Sequence, residues 1–193
     1  MVKLTLSITA MAAALASVVI AAPLCEGSMR VFSNHAHRSD CLPTTSVREY
    51  QPFKIQSVKL DRFLAKEYGS NLVVGSGSPD ETLSVCVVTG DGPCDRQPPP
   101  YCIRQNVSYR IRVEQPIKGY LMVQEEDLVV ITRDIGKASD FQMYDDDELR
   151  IVYLDPKDEP LAITTNGQSA PVTLRKPEKD IKQSFLLQPT NYY

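Results

Sequence analysis

The chain has 193 residues, 42% of them hydrophobic and 23% charged, which suits one globular domain with a real core. A formal charge of −3 argues against nucleic acid or an anionic membrane as partner, because a weakly acidic surface attracts neither. There is no Trp, so Tyr and Phe supply any aromatic platform.

Residues 1–21 read as a secretory leader. Lys3 gives a short positive n-region, Leu4 to Ile20 is a run of apolar and small residues, and cleavage is expected after Ala21. The run is too short and too rich in Ala, Ser and Thr for a membrane anchor. The expectation is a secreted, extracellular protein, not held in a membrane and monomeric. All five cysteines, Cys25, Cys41, Cys86, Cys94 and Cys102, then lie in an oxidising compartment where disulfides persist. The sequence does not settle their pairing. Local closure favours Cys25–Cys41 and Cys94–Cys102, leaving Cys86, inside TLSVCVV, as a buried free thiol.

Residues 22–51 form a polar, turn-rich N-terminal extension, expected to be pinned by a Cys25–Cys41 bridge. It holds the only two histidines, as His35-Ala36-His37, read as a solvated loop because no third ligand stands at a metal-binding spacing. From residue 52 to 193 the pattern is all-β. Ile55, Ile111 and Ile151 each sit in a short alternating run, FKIQSV, YRIRV and LRIVYL. Leu64, Leu121 and Leu161 follow at nine, ten and ten residues; Leu72, Leu128 and Val172 at 17, 17 and 21; Val85, Phe141 and Phe185 at 30, 30 and 34. These offsets mark three units of four strands, about 53–88, 109–144 and 149–188, of which Tyr109–Tyr144 is the clearest. One unit cannot bury its apolar side chains alone, whereas three can close a shared core and leave no open sheet edge.

Twelve strands in three similar units resemble the β-trefoil, with its pseudo-threefold symmetry, the fold of ricin-B-like lectins and of Kunitz-type plant inhibitors. The resemblance implies six barrel strands and six hairpin strands that cap one end. An immunoglobulin-like sandwich is the other reading, but it does not demand the threefold register and usually brings a core Trp.

The first unit is separated from the second by an insertion, residues 89–108. Insertions of this kind leave a barrel intact and are where function tends to be added. Within it, Cys94-Asp95-Arg96-Gln97-Pro98-Pro99-Pro100-Tyr101-Cys102 resembles the nine-residue reactive-site loop of Bowman–Birk-type serine protease inhibitors. The resemblance implies a Cys94–Cys102 ring and an Arg96 side chain that enters a trypsin-like specificity pocket. It also implies that the Arg96–Gln97 bond is the one presented for cleavage, and that Pro99, after Pro98, stands where that family often has a cis bond. Asp95 and Gln97 stand where the family favours Thr and Ser, which brace the loop by hydrogen bonds.

The competing class is a lectin. Ricin-B-like domains place an early Asp and a late Gln-x-Trp in each repeat; here Asp140-Phe141-Gln142-Met143-Tyr144 keeps only the Gln. Asp145-Asp146-Asp147-Glu148 reads as a solvated turn, since it lacks the Gly and distal Glu of a calcium loop. Asn106-Val107-Ser108 is the single N-glycosylation sequon. With no His near the barrel and no HExxH, GxSxG or phosphate-cradling loop, the chain is expected to be no enzyme and to need no metal or cofactor. The sequence therefore predicts a secreted binding protein. Its first expected partner is an extracellular serine protease, its second a glycan, and the third possibility is an interaction protein with no activity of its own.

Overall fold

Alternation decides which face of each strand is buried. In β1 (Phe53–Ser57) and β6 (Tyr109–Gln115) every second side chain, Phe53, Ile55, Tyr109, Ile111 and Val113 among them, is sealed from solvent, and Lys54, Gln56, Arg110 and Arg112 point outward. β9 (Asp140–Asp145) alternates likewise, with Phe141 and Met143 buried, and β7 (Gly119–Gln124), β8 (Leu128–Thr132), β10 (Leu149–Leu154), β11 (Pro160–Thr164), β12 (Thr173–Arg175) and β13 (Phe185–Pro189) complete the strands of this part of the chain. Shorter pieces β2 (Arg62–Phe63), β3 (Ala65–Lys66) and β4 (Val73–Val74) precede β5 (Ser84–Val88). The computed structural model describes residues 41–43, 45–75, 81–95, 97–145, 148–154 and 159–190. The expected leader at residues 1–21, Cys25, His35 and His37 lie outside the described residues.

Among the described residues there is no α-helix, only short 3-10 turns, and no helix long and apolar enough to cross a membrane. Nine strands close into an antiparallel barrel in the order β11-β12-β8-β7-β6-β5-β1-β13-β10, with β10 pairing back onto β11. β9 pairs with both β10 and β6. A closed sheet satisfies the backbone groups that an open edge would leave bare. Among the described residues, twenty-four buried hydrophobic ones meet in the interior, including Phe53, Ile55, Leu64, Leu121, Phe141, Ile151, Val172 and Phe185. Close packing there fixes one glycine: a Cβ on Gly119 would stand 2.5 Å from the Thr132 carbonyl oxygen.

β5 breaks the alternation, since all five of its residues are buried. Val85 and Val87 face the core, and Cys86 and Val88 face outward yet are covered by a second apolar cluster with Tyr120, Tyr50, Cys94, Ile135 and Ala138. The cover over the outside of this strand is composite: Tyr50 from the N-terminal segment, Cys94 from the insertion, Tyr120 from β7, and Ile135 and Ala138 from the turn after β8.

Candidate functional site

Residues 41–50 and 101–104 run side by side. The Leu42 N–H donates to the Ile103 carbonyl (2.9 Å), the Glu49 N–H donates to the Tyr101 carbonyl (3.1 Å), and Cys41 stands opposite Arg104 as Arg48 stands opposite Cys102. Leu42, Val47 and Ile103 are buried in the main core, so both segments are seated on the barrel. This adjacency brings Cys41 to Cys102, with Cα atoms 5.6 Å apart and a disulfide between them. The second disulfide joins Cys86 to Cys94, Cα atoms 5.8 Å apart.

Both expected pairings are therefore corrected. Cys41 is bonded to Cys102 and not to Cys25; Cys94 is bonded to Cys86 and not to Cys102; and Cys86 is no free thiol. The physical reason is orientation. Because Val85 and Val87 turn inward, Cys86 must turn outward, straight beneath the chain that leaves β5 and folds back over it. Cys102 is drawn instead to the incoming segment by the backbone bonds around it.

The loop between these two anchors is closed without a disulfide of its own. The Asp95 N–H donates to the Tyr50 carbonyl (2.7 Å), next to the Glu49–Tyr101 bond, so two adjacent residues hold both ends of the loop. Tyr50 adopts a left-handed φ of 62°, donates its own N–H to the Val87 carbonyl (2.9 Å), and lays its ring against Gly92, where an added Cβ would stand 3.0 Å from it. Arg112 locks the same turn from β6. Its guanidinium donates to the Gly92 carbonyl (3.3 Å) and the Tyr120 hydroxyl (3.2 Å) and pairs with Glu114 at 2.7 Å, both side chains less than one-fifth exposed.

Arg96 lies outside the described residues. Gln97 is exposed and its N–H donates to the Asp95 carboxylate (2.9 Å), so Asp95 braces the loop across the intervening position. Pro98 and Pro99 are half-buried, Pro100 is exposed, and Tyr101 is 60% exposed. Among the described residues the cis X–Pro bond is Gln115–Pro116, so the expected cis bond at Pro99 is not observed.

One further group ties this assembly to the barrel. Tyr109, fully buried at the start of β6, donates its hydroxyl proton to Glu49 (3.0 Å) and accepts from the Arg104 N–H (3.0 Å). Burial pushes its hydroxyl up to about 12, and the nearby Glu49 carboxylate adds to the rise. Glu49, itself 5% exposed, escaped the sequence reading, as did Tyr50 and Arg112. The alternating charges of β6, Arg110, Arg112 and Glu114, were visible, but what they hold was not.

The other sequence candidates fall elsewhere. Asn106 is exposed in a turn with φ 59°, and Ser108 of its sequon accepts from Gln142 Nε2 (3.4 Å). Gln142 also accepts from the Tyr144 hydroxyl, so its amide is engaged within the protein. Arg110 sits between Asp91 (3.2 Å) and Asp140 (3.6 Å) at the mouth of a shallow polar groove of about 380 Å³. Asp146 and Asp147 lie outside the described residues, while Glu148 accepts from the Ser184 hydroxyl. Among the described residues no group of three His, Cys, Asp or Glu side chains is arranged to hold a metal. No protein-family model matches the chain, and no curated protein is significantly similar to it.

Proposed function

We propose that the chain is a secreted, non-enzymatic binding protein on a β-trefoil scaffold. Residues 94–102 are its recognition element, and a trypsin-like serine protease is the target. One observation carries the functional part: both ends of the loop are tied to the fold, covalently by Cys86–Cys94 and Cys41–Cys102, and through the backbone at Tyr50 and Glu49. Inhibition by a substrate-like loop needs rigidity before attack and retention after it. Ordering entropy already spent in folding is not spent again on binding. If the Arg96–Gln97 bond is cut, each new end remains bonded to the same barrel and the loop can close again. A ring within the loop is one way to achieve this, and two separate anchors are another.

The trefoil reading draws support from the strand pairing. The first and fourth strands of each unit, β1 with β5, β6 with β9 and β10 with β13, pair with one another, and each fourth strand pairs with the first strand of the next unit. Secretion is supported by the leader and by two disulfides, which persist where thiols are not kept reduced. The exposed Asn106 turn suits a glycan on the same protein.

The test is a titration of active-site-calibrated trypsin with the purified protein and with its Arg96→Ala variant. Stoichiometric inhibition, lost in the variant, is the expected result. Absence of inhibition at micromolar protein sinks the protease reading. Retention on a glycan array, unchanged by Arg96→Ala and with no inhibition of trypsin, favours the lectin instead.

A further inference from the structure

Away from the loop, the outward face of the β7–β8 hairpin forms an open groove of about 460 Å³. Alternation places Met122 and Gln124 of β7 on one face, and the register sets Met122 opposite Val130. Leu72 bridges to Val130 from the neighbouring hairpin, and the Ile131 N–H donates to the Asn71 carbonyl (2.8 Å), so that Asn71 and Leu72 build the far wall. The floor is therefore apolar (Leu72, Met122, Val130), and the rim carries amides from Asn71 and Gln124 and a hydroxyl from Thr132.

Two cations complete the rim. Arg133 leaves the end of β8, and Lys137 is held by a 3-10 turn, Ile135–Lys137, whose Gly136 N–H donates to the Asp134 carboxylate (2.9 Å). Both are exposed, and no acidic side chain lines the groove. Among the described residues neither makes a salt bridge, unlike Arg110, Arg112, Lys176 and Lys182. On a chain of net charge −3 this is a local excess of unpaired positive charge in a concave, partly apolar site.

We propose that this groove binds an acidic saccharide. A uronic-acid ring lies with its C–H face on Leu72, Met122 and Val130, its carboxylate meets Arg133 and Lys137, and its hydroxyls meet Asn71, Gln124 and Thr132. The volume suits one or two sugar rings. A bare inorganic anion would leave the apolar floor unused. An acidic peptide would look for an unpaired strand edge, but β7 is paired with β6 and β8, and β8 with β7 and β12. The site shares no residue with the 94–102 loop, and the proposal stands or falls separately from protease inhibition.

Calorimetric titration of the full, disulfide-intact protein with digalacturonate, neutral galactobiose, inorganic sulfate and an acidic tetrapeptide tests it. Digalacturonate should bind best, weaken as salt is raised, and lose about tenfold or more in affinity in the Arg133→Gln/Lys137→Gln variant. A control variant of equal charge change, Lys176→Gln/Lys182→Gln, should bind as the parent does, which separates a local site from general electrostatics. Both pairs are at the surface, and an unchanged thermal melt verifies folding. Equal binding of galactobiose, tighter binding of sulfate or of the peptide, indifference to Arg133→Gln/Lys137→Gln, or no binding at millimolar digalacturonate overturns the proposal.

Discussion

Around the barrel interior Phe53, Ile55, Leu64, Tyr109, Ile111, Phe141 and Ile151 are all fully buried, whereas in the assembly on its side, residues 41–50 and 89–104, the buried apolar side chains among the described residues are Leu42, Val47 and Ile103. A fully buried Phe or Ile contributes about 1.5–3 kcal/mol from burial. The barrel therefore has many such contributions and the side assembly few. What the assembly has instead is two disulfides, the Arg112 clamp, the backbone bonds of Glu49 and Tyr50, and the Tyr109–Glu49 link. The lesson is that one chain uses two kinds of cohesion. Apolar packing holds the scaffold under most conditions, and covalent and polar ties hold the presented loop only while thiols stay oxidised and the buried hydroxyl stays protonated.

The comparison breaks if damage to one region acts like damage to the other. Phe141→Ala removes a ring that is fully buried and stacked at a tilt on Tyr153 (6.1 Å), and should cost about 3–5 kcal/mol in denaturant unfolding. The loss should appear as global unfolding, with amide exchange at Asp95 and Glu49 no faster than in the rest of the chain. Cys41→Ser/Cys102→Ser opens a closure of 61 residues and should cost about 4 kcal/mol, against about 2.5 kcal/mol for Cys86→Ser/Cys94→Ser, which opens one of 8. Here the readout should be uneven, with exchange at Leu42, Glu49 and Asp95 accelerating far more than in β6 or β10. Uniform acceleration across the barrel would mean that the two regions form one cooperative unit, and the distinction would be lost.

Much of the barrel was legible because strands such as β1, β6 and β9 obey period two. Ile55, Ile111 and Ile151 are all fully buried where alternation put them, and the unit read from Tyr109 to Tyr144 holds the four strands β6 to β9. The side assembly was not legible in the same way. Sequence spacing between Cys94 and Cys102 is short, but which face of β5 carries Cys86, and which backbone lies beside Cys102, are tertiary facts. The apolar run of β5 was a signal: an exposed outer face would carry polar residues, and SVCVV does not, because Tyr50, Cys94, Tyr120, Ile135 and Ala138 cover that face. Reading that run as a covered strand would have pointed to Cys86 as a partner for the covering loop. Nothing in the residue pattern announced Glu49 as the buried acceptor of a tyrosine sixty positions away.

That pair gives the finest test, because Tyr109 belongs to both regions, with its ring in the barrel core and its hydroxyl in the side assembly. Tyr109→Phe keeps the ring but leaves the buried Glu49 carboxylate and the Arg104 N–H without this partner, and should cost about 1–3 kcal/mol at neutral pH. Its pH dependence carries the sign of the raised hydroxyl. The unfolded chain releases this proton near pH 10, whereas the folded chain keeps it to about 12, so between those values the folded state holds more protons. The contribution is therefore fully present below pH 10 and is lost as the pH rises toward 12. Wild-type stability should fall more steeply over that window than that of Tyr109→Phe, as measured by denaturant midpoints at fixed salt. The extra loss should appear first as faster exchange at Arg104 and Glu49, where the hydroxyl makes its bonds, and only later in the barrel strands. Equal slopes for the two proteins would place the alkaline sensitivity elsewhere and leave Tyr109 as a core ring whose hydroxyl does not link the two regions.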